Sequence, residues 1–181
     1  YRYTILKKLK EILFKVNIHS VYGDTDIDIT KITFDSRNVE DNTLFIAIKG
    51  HNINGHDYIE ESIKNGASVI ICEKLPENFK KNKSVYICVN CTKSALSIIS
   101  SNFYDNPSSK IDLIGVTGTN GKTTIASLLF KLFNQLELKS GLVSTINIEY
   151  DDFVEPSKNT TPDPITPVSY THLTLPTTSM V

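Results

Sequence analysis

Apolar positions come in short blocks along the chain, and the period changes from block to block. Near the N-terminus Ile5, Leu9, Ile12, Leu13 and Val16 fall at helical spacing, which predicts a helix through about Asn17. KITF (31–34) reads as a short strand and TLFIAI (43–48) as a second, nearly continuous in apolar residues. Such a run predicts burial on both faces of a sheet. HDYIEESIKNGA (56–67) returns to the helical period, with Gly66 as a stop signal. Strands are expected over 69–73 and 84–89, separated by the polar, proline-containing LPENFKKNKS. TKSALSIISSNFY (92–104) then reads as a helix with Thr92 as its N-cap.

DNPSSK (105–110) interrupts the pattern with turn residues, and a domain boundary is expected there. IDLIGVT (111–117) follows as an expected buried strand, then a glycine-rich turn, then TIASLLFKLFNQL (124–136) as a helix. SGLVSTINI (140–148) reads as the next strand. Strand, helix and strand together predict a βαβ unit with a right-handed crossover and a parallel sheet. The fold class is therefore α/β. A small mixed α/β domain is expected over 1–106, and the start of a parallel-sheet P-loop domain over 107–166. The remainder, 167–181, ends in VSYTHLTLPTTSMV, with little periodicity. It reads as a disordered terminus or as a non-native addition, and the second reading is preferred.

Composition narrows the function classes. The 181 residues are 40% hydrophobic and 22% charged, with a formal net charge of −1. A packed core is within reach, and no global basic field recommends nucleic acid as a partner. No apolar run is long enough to span a bilayer. The lysine-rich start lacks the apolar core and cleavage site of a signal peptide, so a cytoplasmic location is expected. Of the three cysteines, Cys88 and Cys91 have C-x-x-C spacing. No second pair completes a metal set, and the motif ends an apolar strand, so a packing role is expected.

The strongest chemical signal is GVTGTNGKTT (115–124). Gly121, Lys122 and Thr123 fit the end of G-x-x-x-x-G-K-[ST], but Val116 stands where the first glycine belongs. The context is nevertheless that of a phosphate cradle, a turn before a helix. Glycine backbone and free N–H groups at a helix start receive the anion. Lys122 would add charge near the terminal phosphates, and the Thr123 hydroxyl would ligate Mg²⁺. A cradle built around Gly118 does not need the missing glycine.

The loop resembles the G-T-N-G-K-[ST] loop of the Mur ligase family, whose members join an amine to a carboxylate at the expense of ATP. Two other stretches are similar to the MurE type. One is TFDSRNVEDNTLFIAIKGHNINGHDYI (33–59), with D-S-R, L-F-x-A-x-x-G and a D-G-H variant in which Asn54 replaces the aspartate. The other is Asn159-Thr160-Thr161-Pro162-Asp163. The resemblance implies that Gly118, Thr119, Asn120, Gly121, Lys122, Thr123 and Thr124 bind ATP, with Lys122 catalytic and Thr123 on Mg²⁺. It implies that Phe34, Ser36, His51, Asn52 and Ile53 meet the uridine end of a UDP-N-acetylmuramoyl-dipeptide. Asn159, Thr160 and Thr161 would meet its muramoyl and pyrophosphate part. The reaction implied adds a diamino acid to UDP-N-acetylmuramoyl-L-alanyl-D-glutamate through an acyl phosphate.

Taken singly, these residues have plainer readings: Asp35 and Arg37 as a surface ion pair, Ser36 as a turn former, GHNINGH as a polar loop, and Thr161 as a helix cap. A chain with only part of the ATPase domain is expected to be inactive alone. Rival functions are a MurF-type ligase, another P-loop ATPase or kinase, and a non-enzymatic UDP-sugar-binding module. The choice between L-lysine and meso-diaminopimelate stays open, as does the oligomeric state.

Overall fold

The structure is a computed structural model that describes residues 5–50, 53–76, 79, 84–150, 153–156 and 165. The chain divides into two compact units, residues 1–103 and 104–181.

The first unit opens with β1 (Lys7–Lys8), α1 (Leu9–Ile12), β2 (Ile18–Tyr22), β3 (Asp28–Ile29) and β4 (Lys31–Thr33). It continues with β5 (Thr43–Ile46), α2 (Ile59–Lys64), β6 (Ala67–Cys72), β7 (Val85–Val89) and α3 (Thr92–Phe103). Five strands form one sheet in the order β2-β7-β6-β5-β4. β4, β5, β6 and β7 are parallel, and β2 lies antiparallel on the β7 edge. The apolar run over 43–48, read as covered on both faces, is so, with Leu44, Phe45 and Ile46 fully buried; Ile70, Ile71 and Ile87 on the neighbouring strands are buried with them. α1 packs on α3, where Leu9 and Ile12 join Ala95, Leu96, Ile99 and Phe103 in the core.

The expected first helix is much shorter than its periodicity suggests. Lys7 and Lys8 pair antiparallel with Ile29 and Asp28, and the Leu9 N–H donates to the Ile27 carbonyl, so the helix cannot start earlier. At the other end the Asn102 side-chain amide donates to the carbonyls of Ile12 (2.9 Å) and Phe14 (2.6 Å). Lys15 then adopts φ 61°, which no helix tolerates. The spacing did mark the right buried residues, Leu9, Ile12 and Leu13. The 56–67 helix is likewise split into a 3-10 turn, Gly55–Tyr58, and α2. Thr92 is the first residue of α3 rather than the one before it.

The second unit contains a 3-10 turn (Pro107–Lys110), α4 (Lys122–Gln135), β8 (Gly141–Val143), β9 (Asn147–Tyr150) and β10 (Phe153–Pro156). Its sheet has the order β10-β9-β8 and both pairings are antiparallel. The single strand expected over 140–148 is therefore two strands and a turn. The Ser144 hydroxyl accepts the N–H groups of Ile146 (3.2 Å) and Asn147 (3.1 Å), folding the chain back on itself. The expected buried strand 111–117 is also corrected. It belongs to no sheet among the described residues, and Leu113 and Ile114 are 78% and 57% exposed. A strand exists only with a partner for its N–H and C=O groups, so the local pattern alone does not make one. The βαβ unit is accordingly absent from the described part of this unit. The parallel sheet of the molecule lies in the first unit.

Candidate functional site

Parallel order puts the carboxyl ends of β4, β5, β6 and β7 along one edge of the first sheet, where open α/β sheets bind ligands. Phe34 and the D-S-R turn follow β4 there, and the 47–55 loop follows its neighbour β5.

Asp35 builds the turn. Its carboxylate accepts the Arg37 backbone N–H at 3.0 Å and takes the guanidinium with two bonds, Nε at 2.9 Å and Nη2 at 2.7 Å. These bonds hold the Asp35 carboxyl below its ordinary value, the Arg37 side chain first among the causes. Arg37 is exposed, so the pair contributes shape more than energy. Ser36 is buried, and its carbonyl accepts from the Asn65 side chain at 3.2 Å, tying the turn to the end of α2. Phe34 remains 38% exposed at the rim, an aromatic face available to a base.

The neighbouring loop is pinned at its base. Lys49 and Asn54 form an antiparallel bridge, Gly50 donates to the Ile53 carbonyl and Gly55 donates to the Ile48 carbonyl, both at 2.8 Å. Only glycine fits at 55, because a Cβ would stand 2.7 Å from the Ile48 nitrogen. Ile53 is 62% exposed. His51 and Asn52, expected from the sequence to bind ligand, lie outside the described residues, as do Asn159, Thr160 and Thr161.

One network was missed. The Asn54 side-chain oxygen accepts the His56 N–H at 3.3 Å and faces His56 Nδ1 at 3.0 Å. His56 Nε2 accepts the Glu73 N–H at 2.9 Å. The Glu73 carboxylate in turn accepts the N–H and hydroxyl of Thr92, both at 3.0 Å, at the start of α3. Burial lowers the His56 pKa, and the bond from the Thr92 backbone lowers that of Glu73. The signal was present in the Asn54-Gly55-His56 triplet, but nothing local pointed to Glu73.

In the second unit the GVTGTNGKTT stretch is a glycine turn that leads straight into α4. Gly118 and Gly121 have φ of 152° and 77°, and no side chain caps the start of α4. No acidic residue lies in its first turn, so free N–H groups and the helix dipole face an incoming anion unopposed. The Lys122 ammonium folds back onto the carbonyls of Gly118 and Thr119. It thus spans the loop where terminal phosphates would take its charge. Thr123 Oγ1 lies 3.5 Å from Thr145 Oγ1, a hydroxyl pair that can accept a hard cation beside bound phosphate. Thr119, Asn120 and Thr124 complete the loop and are exposed.

The cysteines show no site. Cys72 and Cys88 are buried neighbours on β6 and β7 with sulfurs 3.9 Å apart, and Cys91 is exposed. Burial pushes the Cys72 thiol up to about 12. No cluster able to hold a metal ion occurs among the described residues, and none of their helices is long and apolar enough to cross a membrane.

A parallel-sheet unit and a second unit with a glycine turn at a helix start describe a two-unit protein of the α/β class. The Mur ligase family, catalytic domain, matches residues 28–104, and the Mur ligase middle domain matches residues 116–178. The chain belongs to the Mur ligase family. It is 47% identical over 158 residues to the UDP-N-acetylmuramoyl-L-alanyl-D-glutamate--2,6-diaminopimelate ligase of Cytophaga hutchinsonii, covering 87% of this chain and 32% of that protein. The protein of the same name from Phocaeicola vulgatus is 43% identical over 159 residues, 88% of this chain and 33% of the relative. The chain thus spans about a third of the length of the curated relatives it matches. Among solved structures, MurF from Acinetobacter baumannii shares the fold with a TM-score of 0.57 at 21% identity, over 78% of this chain and 30% of that one.

Proposed function

We propose that the protein takes part in ATP-dependent amide-bond formation on a peptidoglycan precursor, extending UDP-N-acetylmuramoyl-L-alanyl-D-glutamate by a diamino acid. The diamino acid named for the relatives is 2,6-diaminopimelate. The observation that carries this reading is the placement of Phe34, the D-S-R turn and the 47–55 loop after neighbouring parallel strands. An aromatic face, a buried serine turn and a glycine-shaped loop meet at one sheet edge there. In this reading Phe34, Ser36, His51, Asn52 and Ile53 receive the uridine end. Asn159, Thr160 and Thr161 receive the muramoyl and pyrophosphate part.

ATP occupies the loop from Gly118 to Thr124. The residues present fit it: N–H groups at an uncapped helix start for the phosphates, Lys122 for the β- and γ-phosphate charge, and Thr123 for Mg²⁺. When bound, the cation neutralises charge on the transferring phosphoryl group. Lys122 would be the catalytic residue, exchanging its carbonyl partners for phosphate oxygens as charge develops. The D-glutamate carboxylate would become the acyl phosphate that the incoming amine attacks. In this reading a nucleotide sugar and ATP as substrates support a cytoplasmic location.

Calorimetric titration of the chain with UDP-N-acetylmuramoyl-L-alanyl-D-glutamate, and separately with ATP and Mg²⁺, tests the reading. Binding of both ligands is expected. ATP binding without the UDP-sugar would favour another P-loop ATPase or kinase. UDP-sugar binding without ATP would favour a binding module.

A further inference from the structure

The imidazole of His56 is held on both sides. A backbone N–H can only donate, so Nε2, facing the Glu73 N–H at 2.9 Å, carries the lone pair. Nδ1 then carries the proton and donates to Asn54 Oδ1 at 3.0 Å. The tautomer follows from the two partners. Through it the base of the 49–55 loop is tied to the first residue after β6, and Glu73 is tied on to the start of α3.

An imidazolium has two donors and no acceptor. Protonation would set an N–H of the ring against the Glu73 N–H, and that link would break. The charged groups facing His56 are Glu73 and Asp57, which favour the cation, and Lys49, which opposes it. Burial outweighs them and keeps the ring neutral below its ordinary value of 6.5.

We infer that His56 is a positioning residue for the uridine end of the ligand: neutral and bonded on both nitrogens, it holds Asn54, at the base of the loop after β5, to Glu73 just beyond β6, and ligand affinity falls when the ring takes up a second proton. The inference rests on the proposed placement of the uridine end at this loop. His56 itself need not touch the ligand. Its link to Glu73 spans seventeen positions in sequence, and it ties the residue that follows the loop after β5 to the residue that follows β6.

The test is titration of the full chain with UDP-N-acetylmuramoyl-L-alanyl-D-glutamate from pH 8 to pH 5, for the natural protein, His56→Gln and His56→Ala. The diphosphate diester of this ligand does not titrate in that range. Glutamine offers an acceptor to Glu73 and a donor to Asn54 but takes up no proton. The natural protein should hold its affinity above pH 6.5 and lose about tenfold as the ring protonates, the cost of one lost hydrogen bond. His56→Gln should bind within about threefold of the natural protein at pH 8, with a flat pH profile. His56→Ala should bind about tenfold more weakly at pH 8, and also without a pH step. Thermal melts separate loss of fold from loss of affinity; if His56→Ala does not fold, the glutamine variant decides alone. A pH step retained in His56→Gln, or natural affinity in a folded His56→Ala, would overturn the role of His56 and leave the ligand placement standing. No binding by the natural protein at pH 8 would overturn both.

Discussion

α3 and α4 are amphipathic helices of similar length, 12 and 14 residues, and they end in opposite situations. α3 buries Thr92, Ala95, Leu96, Ile99, Ser100 and Phe103. α4 buries none of its residues, and Ile125, Leu128 and Leu132 stand about half exposed. An apolar stripe specifies which face of a helix seeks cover; it does not supply the cover. α3 lies in a unit with a five-stranded sheet and α1. α4 lies in a unit whose described sheet has three short antiparallel strands, and whose 111–117 segment joins no sheet among the described residues. The first unit therefore has a closed core. The second carries its glycine turn at the start of a helix whose apolar residues are exposed.

Substitutions in the two helices test that contrast most directly. Ile99→Ala should destabilise the first unit by about 2–5 kcal/mol, while Leu128→Ala should stay within about 0.5 kcal/mol. Urea denaturation measures both, and an equal cost would mean that α4 is as covered as α3. Next in size is Lys122→Ala, which removes a charge-assisted contact from the proposed ATP site. ATP affinity should fall by roughly ten- to a hundredfold, read by calorimetry. Affinity for the UDP-sugar in the same variant reports whether the two units bind independently. Gly55→Ala places a methyl 2.7 Å from the Ile48 nitrogen and should cost about 1–3 kcal/mol, with weakened UDP-sugar binding.

Two smaller effects probe the network around His56. Glu73 has a lowered pKa, so its support of α3 is present above about pH 4.5 and is lost as pH falls through the lower folded value. Glu73→Gln should cost about 1 kcal/mol at neutral pH, the scale of a lost helix cap, and should flatten the acid end of the stability curve. Asn54→Asp puts a carboxylate beside His56 Nδ1 and should raise the imidazole pKa by about one unit. A proton NMR titration of the ring would show it. No upward shift would mean that Asn54 and His56 do not face each other in solution.

Much of the first unit could be read along the chain. The strands at 31–34, 43–48 and 84–89 and the helix at 92–104 were legible because each carries its own period and its own breakers. The glycine turn before α4 was legible for a different reason. Its chemistry is local, with glycines, lysine and threonine inside one turn. The D-S-R turn was half legible. Taken singly, Asp35 and Arg37 read as a surface pair, and only the backbone bond from Arg37 to Asp35 shows them as the turn's framework.

What the amino-acid sequence determined by itself is thus the set of short-range structures: covered strands, amphipathic helices, turn positions and a glycine turn at a helix start. These depend on residues a few positions apart, whose relation the chain imposes. The tertiary structure decided where α1 stops, because the carbonyls that end it are taken by Asn102, some ninety positions away. It also decided that 111–117 joins no sheet among the described residues and that His56 meets Glu73. Each depends on which backbone or side-chain group is near in space, and residue periodicity carries no information about that partner.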